Sequence, residues 1–286
     1  MDTATPTTNE IVQLLNVSID NLSSQHLMAK LAQGGVVYTT NVDHLMKLQD
    51  DGEFCSAYAA ADYRVCDSQV LKFASRFLGT PIQEKISGSD LFPQFCQYYQ
   101  QDQNVKIFLL GAAEGVAAEA MRRINRRVGR EMVVAAHSPS YGFEQNAEEC
   151  QQVIDLINQS DATVLAVGLG APKQEKWIHR YRHQLSGINV FMGIGATIDF
   201  EAGNVDRAPS WVSELGLEWL YRMTQEPGRL WRRYLLEDTA FFYLLLLQKL
   251  NWYHRSPSLR TSGRSASMRS QPGLTSLQPS TPSLEN

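Results

Sequence analysis

A chain of 286 residues of which 43% are hydrophobic can bury a sizeable core, which excludes wholesale disorder. Four cysteines, Cys55, Cys66, Cys96 and Cys150, stand apart with no C-x-x-C pair and no histidine at zinc-finger spacing, so neither a metal knot nor a disulfide framework is indicated. The formal net charge is -4, yet residues 222–269 carry nine Lys/Arg against three Asp/Glu, so positive charge gathers toward one end.

Met1–Glu10 is polar and lacks a basic stretch followed by an apolar core, so it reads as no secretory signal and the protein is expected in the cytoplasm. From Gly35 a unit recurs: a β-branched or aliphatic run, a Gly-rich or polar turn, then residues of helical period. Gly35–Thr40 leads into Asn41–Asp50. Val105–Leu110 leads through Gly111–Gly115 into an apolar stripe at Val116, Ala120, Ile124 and Val128. Thr163–Val167 and Val190–Ile194 supply two further strands. The pattern predicts an α/β, Rossmann-like fold: a mostly parallel sheet with helices on both faces and ligands at the carboxyl ends of the strands.

Those ends hold the candidate site residues. Thr39 and Asn41 close the first unit together with Asp43 and His44, although Thr and Asn are also ordinary helix-start residues. Asp67 follows a short strand, where a carboxylate is placed to deprotonate a sugar hydroxyl or simply to cap a helix. Gly168-Leu-Gly170-Ala-Pro-Lys-Gln174-Glu175 opens a helical stretch running to Gln184. Its glycines let backbone N–H groups approach a phosphate at a helix N-terminus. Lys173 stands where a dinucleotide fingerprint has its third glycine, which disfavours a nicotinamide site. Gly193-Ile-Gly195-Ala-Thr-Ile-Asp199 is a second such junction. His179 and His183 are spaced i, i+4 but lack a third ligand, so no metal site is expected.

Beyond residue 205 aromatic residues alternate with arginines, and Arg222, Arg229, Arg232 and Arg233 include i, i+3 and i, i+4 pairs suited to clamping an anion. Ala240–Leu247 is apolar but far short of the roughly 20 residues a membrane span needs. With Trp252, Tyr253 and basic neighbours it suits either a membrane interface or a docked helix. From Ser256 the composition predicts a disordered tail. The expected organisation is an α/β core over 1–205, a basic and aromatic helical appendage over 206–255 and a tail over 256–286.

In this order, Thr39-x-Asn41, Asp67, Ile86-Ser-Gly88-Ser-Asp90-Leu91, Phe108-Leu-Leu-Gly111, Gly168-Leu-Gly170-x-Pro172-Lys-Gln174-Glu175, Arg207-Ala-Pro209 with Trp211, and Glu218-Trp219 through Arg233 resemble the WecG/TagA/CpsF family of glycosyltransferases from about Val17 to Trp252. The resemblance implies an inverting transfer of N-acetylmannosamine or a related sugar. The donor would be a UDP-sugar and the acceptor the 4-hydroxyl of N-acetylglucosamine on undecaprenyl diphosphate, without a tightly held metal. It implies Asp67 as general base, with Thr39 and Asn41 orienting substrate. It also implies that Lys85, Gly111, Gly168, Gly170, Gln174, Gly195, Asp199 and Arg207 line the substrate site, and that Arg222, Arg229 and Arg232 neutralise the leaving diphosphate. The partners implied are a UDP-sugar, a polyprenyl-diphosphate-linked acceptor, the inner face of the cell membrane and a possible second copy of the chain, but no nucleic acid. Two positions depart from the family pattern, Lys85 for arginine and Ser68 for glycine, and both bear on the site. A silent nucleotide-sugar-binding protein and a nicotinamide-dependent oxidoreductase are the competing readings.

Overall fold

The computed structural model describes residues 10–205 and 238–254. The chain begins with an antiparallel hairpin, β1 (Ile11–Leu14) and β2 (Val17–Asp20), that the residue pattern does not announce. Then follow α1 (Ser24–Leu31), β3 (Gly35–Thr40), α2 (Val42–Lys47), α3 (Gly52–Ala59), β4 (Tyr63–Cys66), α4 (Gln69–Leu78), α5 (Gly88–Tyr98), β5 (Ile107–Gly111), α6 (Val116–Val128) and β6 (Val133–His137). The order continues α7 (Ala147–Gln159), β7 (Val164–Gly168), α8 (Lys173–Tyr181), β8 (Val190–Gly193), α9 (Thr197–Ala202) and, after residues 206–237, α10 (Asp238–Lys249). The four strands expected from the sequence at Gly35, Val105, Thr163 and Val190 are β3, β5, β7 and β8.

Six strands form one parallel sheet in the order β4-β3-β8-β7-β5-β6. Alternate residues of each strand feed opposite cores, as a sheet covered on both faces requires. Val36, Tyr38, Phe108, Leu110, Leu165, Val167 and Phe191 pack on one side with residues of α2, α3, α4, α7 and α8. Val37, Ile107, Leu109, Val164, Ala166, Val190 and Met192 pack on the other with residues of α1, α5, α6 and α9. The stripe Ala120, Ile124 and Val128 of α6 is buried as its spacing predicts. The chain passes from β5 outward to β6 but from β7 toward β8, so the crossovers diverge between the neighbours β5 and β7. That divergence opens a crevice at the strands' carboxyl ends.

Helix α10 packs Phe241 and Leu245 into the first core while Phe242, Tyr243 and Leu246 stay exposed. Its Gln248 closes the hairpin turn: Oε1 accepts from the Leu15 N–H at 2.8 Å and Nε2 donates to the Gln13 carbonyl at 3.0 Å. Leu15 sits at φ +50°, a conformation that costs a non-glycine residue energy and is held here from outside. Gln248→Ala is therefore expected to lower stability by about 1–2 kcal/mol, read as a fall in the urea midpoint with unchanged m-value. No helix among the described residues is long and apolar enough to cross a membrane.

Candidate active site

The carboxyl ends of β4 and β3 carry the acid and its neighbours. Register pairs Thr40 with Cys66, and the Asp67 N–H donates to the Thr40 carbonyl at 2.7 Å, so Asp67 leaves the sheet one step beyond the last pair, level with Asn41. Thr39 is nearly buried and Asp67 is half-exposed. Asn41 keeps the capping role its residue type suggests, because its Oδ1 accepts from the His44 N–H at 3.0 Å to start α2. The amide nitrogen is then the end it can offer a ligand. Ser68 accepts from the Leu71 N–H and caps α4. Relative to glycine this side-chain cap is worth only about a few tenths of a kcal/mol.

The loop bearing Lys85 is fastened to β4 by the Ile86 N–H, which donates to the Cys66 carbonyl at 2.7 Å. Ser87 then caps α5, accepting from the Asp90 N–H at 3.2 Å. A methyl built on Gly88 would lie 3.4 Å from Thr39 Oγ1 and 3.3 Å from the Ile194 carbonyl, so the start of α5, the end of β3 and the end of β8 meet there.

Toward the middle of the sheet the contacts become main chain against main chain. Gly168 pairs with Gly111, and a methyl on Gly111 would meet the Gly168 carbonyl at 2.5 Å. A methyl on Gly168 would meet the Gly195 carbonyl and Ile198 Cδ1, each at 2.7 Å. Glycine is required at both positions by this close approach. Asp199 lies in the first turn of α9, just past Gly195, and Gly170 turns the loop before α8. The structure thus gathers Thr39, Asn41, Asp67, Lys85, Gly111, Gly168, Gly170, Gln174, Gly195 and Asp199 along one edge of the sheet. Arg207, Arg222, Arg229 and Arg232 lie outside the described residues.

Helix capping differs along that edge. Ser23, Asn41, Asp51, Ser68, Ser87 and Asn146 cap α1 to α5 and α7 with their side chains. Helices α6, α8 and α9, which follow β5, β7 and β8, have no side-chain cap. The Val116 N–H at the start of α6 and the Gln174 N–H at the start of α8 donate to the Ala113 and Gly170 carbonyls, and the positive ends of the helix dipoles lie at the strands' carboxyl ends. Beside them Tyr141 is fully exposed, with Lys173 Nζ 4.6 Å from its ring centroid.

Asp43, His44 and Gln174, which the sequence placed at the strand ends, are buried there in a polar layer with Glu175 and Tyr58, whose part in it sequence reasoning missed. Gln174 is almost fully buried: Oε1 accepts from the Gly195 N–H at 3.1 Å and Nε2 donates to Glu175 Oε1 at 2.8 Å. His44 Nδ1 meets the Tyr58 hydroxyl, and Lys47 bridges Asp43, at 2.8 Å, and the Ala171 carbonyl, at 3.2 Å. Burial raises the Tyr58 hydroxyl well above its ordinary value, with Glu175 and Asp67 adding to the rise. Burial likewise pushes the Cys66 thiol up to about 12, leaving it inert beside the acid. His179 and His183 are not joined by further ligands: no group of three or more His, Cys, Asp or Glu among the described residues is arranged to hold a metal.

Burial also carries the Glu175 carboxyl from 4.5 to about 7, against the opposing pull of the Gln174 N–H and Lys47. Between those values the folded chain keeps a proton that the unfolded chain releases. Stability is therefore full below the lower value and falls as pH rises through the upper one, by roughly 3 kcal/mol in all. Urea titrations at about pH 5 and about pH 8 are expected to show that decline, and Glu175→Gln is expected to flatten it.

The profile of the glycosyl transferase WecG/TagA/CpsF family matches residues 12–255. The chain belongs to this family. Two curated relatives, from Bacillus spizizenii and Bacillus subtilis, are each named N-acetylglucosaminyldiphosphoundecaprenol N-acetyl-beta-D-mannosaminyltransferase. The first is 34% identical over 203 residues, covering 71% of this chain and 76% of the relative. The second is 30% identical over 217 residues, covering 76% and 80%. Family membership makes the protein a glycosyltransferase, and the strand-end residues gathered above are its candidate machinery.

Proposed function

We propose that the protein transfers N-acetylmannosamine, or a closely related hexose or uronic acid, from a UDP-sugar to the 4-hydroxyl of N-acetylglucosamine on undecaprenyl diphosphate, at the inner face of the cell membrane. The names of the two relatives support the acceptor and the sugar. The observation that carries the reading is the division of the site: a carboxylate with hydroxyl and amide neighbours at β3 and β4, and helix starts without side-chain caps after β5, β7 and β8. A glycosyl transfer from a nucleotide sugar needs both, a base for the acceptor and positive potential for the departing diphosphate.

In the proposed reaction Asp67 takes the proton of the acceptor hydroxyl as that oxygen attacks the anomeric carbon. The bond to the diphosphate breaks on the opposite face, so one displacement inverts the centre and releases UDP. Thr39 and Asn41 orient the reacting groups. The N-termini of α6 and α8 lie where the diphosphate gains charge, and Arg222, Arg229 and Arg232 complete its neutralisation, a task that preplaced guanidinium groups perform without a metal. Exposed Phe242, Tyr243, Leu246 and Trp252 near Lys249 suit contact with the membrane that holds the acceptor.

The test is UDP release by the purified protein with a panel of UDP-sugars, with and without a lipid-diphosphate-N-acetylglucosamine analogue. Acceptor-dependent release with UDP-N-acetylmannosamine and a β-linked disaccharide product is expected. No acceptor-dependent release with any sugar would replace this reading by that of a silent nucleotide-sugar-binding protein.

A further inference from the structure

Glu175 is a fully buried acid that the mechanism above leaves unused. One oxygen accepts from Gln174 Nε2, while Oε2 has no hydrogen-bond partner among the described residues. An apolar side chain of similar size would fill this place without desolvating a carboxyl, so packing alone does not account for the residue. Its surroundings show what the carboxyl governs. The Gln174 amide lies against the end of β8, where a methyl on Gly193 would come within 2.9 Å of Nε2. Gln174 has one oxygen and one nitrogen to divide between two partners, and only one orientation serves both. With Nε2 on Glu175, Oε1 is left for the Gly195 N–H; rotated by half a turn, the amide would set two donors face to face. Tyr38 holds this end of α8 in place, its hydroxyl donating to the Glu175 carbonyl at 3.2 Å.

We propose that Glu175 is a positioning residue that fixes the orientation of the Gln174 amide and through it the Ile194–Gly195 turn. That turn touches both halves of the site. The Ile194 carbonyl stands beside Gly88 and Thr39, and the Gly195 carbonyl stands against Gly168. A turn free to rotate would shift the base side relative to the diphosphate side, and a misplacement of about 1 Å between reacting groups costs on the order of 100-fold in rate. The titratable groups facing Glu175 are Lys47 and Asp43 of α2, Tyr38 of β3 and Tyr58 of α3. None of them donates to Gln174, so none replaces the carboxyl as the amide's anchor.

The inference rests on the transferase reading for its effect on rate, and its structural arm stands without it. The full chain, Glu175→Gln and Glu175→Leu are compared by kcat at saturating donor and acceptor, by thermal midpoint, and by hydrogen exchange of the Gly195 amide followed by NMR. Glu175→Leu is expected to melt no lower than the wild type, to lose on the order of 100-fold in kcat, and to expose the Gly195 amide to exchange about 10-fold faster or more. Glu175→Gln still offers an acceptor oxygen and is expected to keep Gly195 protection and most of the rate. Undiminished Gly195 protection in Glu175→Leu overturns the proposal, as does a loss of rate that merely follows a fall in thermal midpoint or a failure of that variant to fold. Lost protection in Glu175→Gln overturns it too. Absence of transfer by the wild type counts against the transferase reading instead, and the exchange measurement then decides the role of Glu175 by itself.

Discussion

Replacing Asp67 by asparagine is expected to lower the rate of sugar transfer by about 10²- to 10⁴-fold, the range that a general base contributes. The substitution leaves shape and backbone alone. The Asp67 N–H is held by the Thr40 carbonyl, the next residue, Ser68, caps α4, and the half-exposed side chain has room for an amide. What changes is the capacity to accept a proton as the acceptor oxygen attacks. UDP binding measured by calorimetry should stay near the wild-type value, while turnover falls at every donor concentration. A variant within a few-fold of the wild type would move the base elsewhere on the edge.

Gly111→Ala is expected to destabilise the fold by about 3–6 kcal/mol, because two costs add at one atom. Gly111 has φ +124°, which an alanine adopts only under strain, and the added methyl would lie 2.5 Å from the Gly168 carbonyl. Strands β5 and β7 would have to part where their ends meet. For a domain of this size the thermal midpoint should drop by roughly 10 °C or more. Gly170→Ala supplies the control: φ is +76° there, but nothing lies within 4 Å of the added methyl, so only the conformational cost of about 1 kcal/mol remains. Equal losses in the two variants would show that close approach of the strands is not what glycine provides at position 111.

The strands that run through both cores were the most legible part of the sequence, because Val164–Val167 and Val190–Met192 are apolar at every position and little else accommodates such runs. The positions of Asp67 and Asn41 were legible for a related reason: a polar residue directly after a strand emerges at the sheet's edge, whereas Thr39 lies within the end of β3 itself. The hairpin at Ile11–Asp20 was not. Its turn uses Leu15 at positive φ in place of glycine, and the group that stabilises it, Gln248, lies 233 residues away. The Gln174–Glu175–Gly195 network was hidden likewise. It exists only because β7 and β8 are neighbours, a pairing that no local pattern encodes.

At β5 and β7 the edge is shaped by backbone, with glycine against glycine, whereas at β3 and β4 it is shaped by the identity of individual side chains. The two halves therefore answer to different genetic rules. On the backbone half the genetic code constrains few positions tightly, and the residues between the glycines are free to vary provided that they keep the strand. On the side-chain half a single altered functional group changes the chemistry while the fold persists.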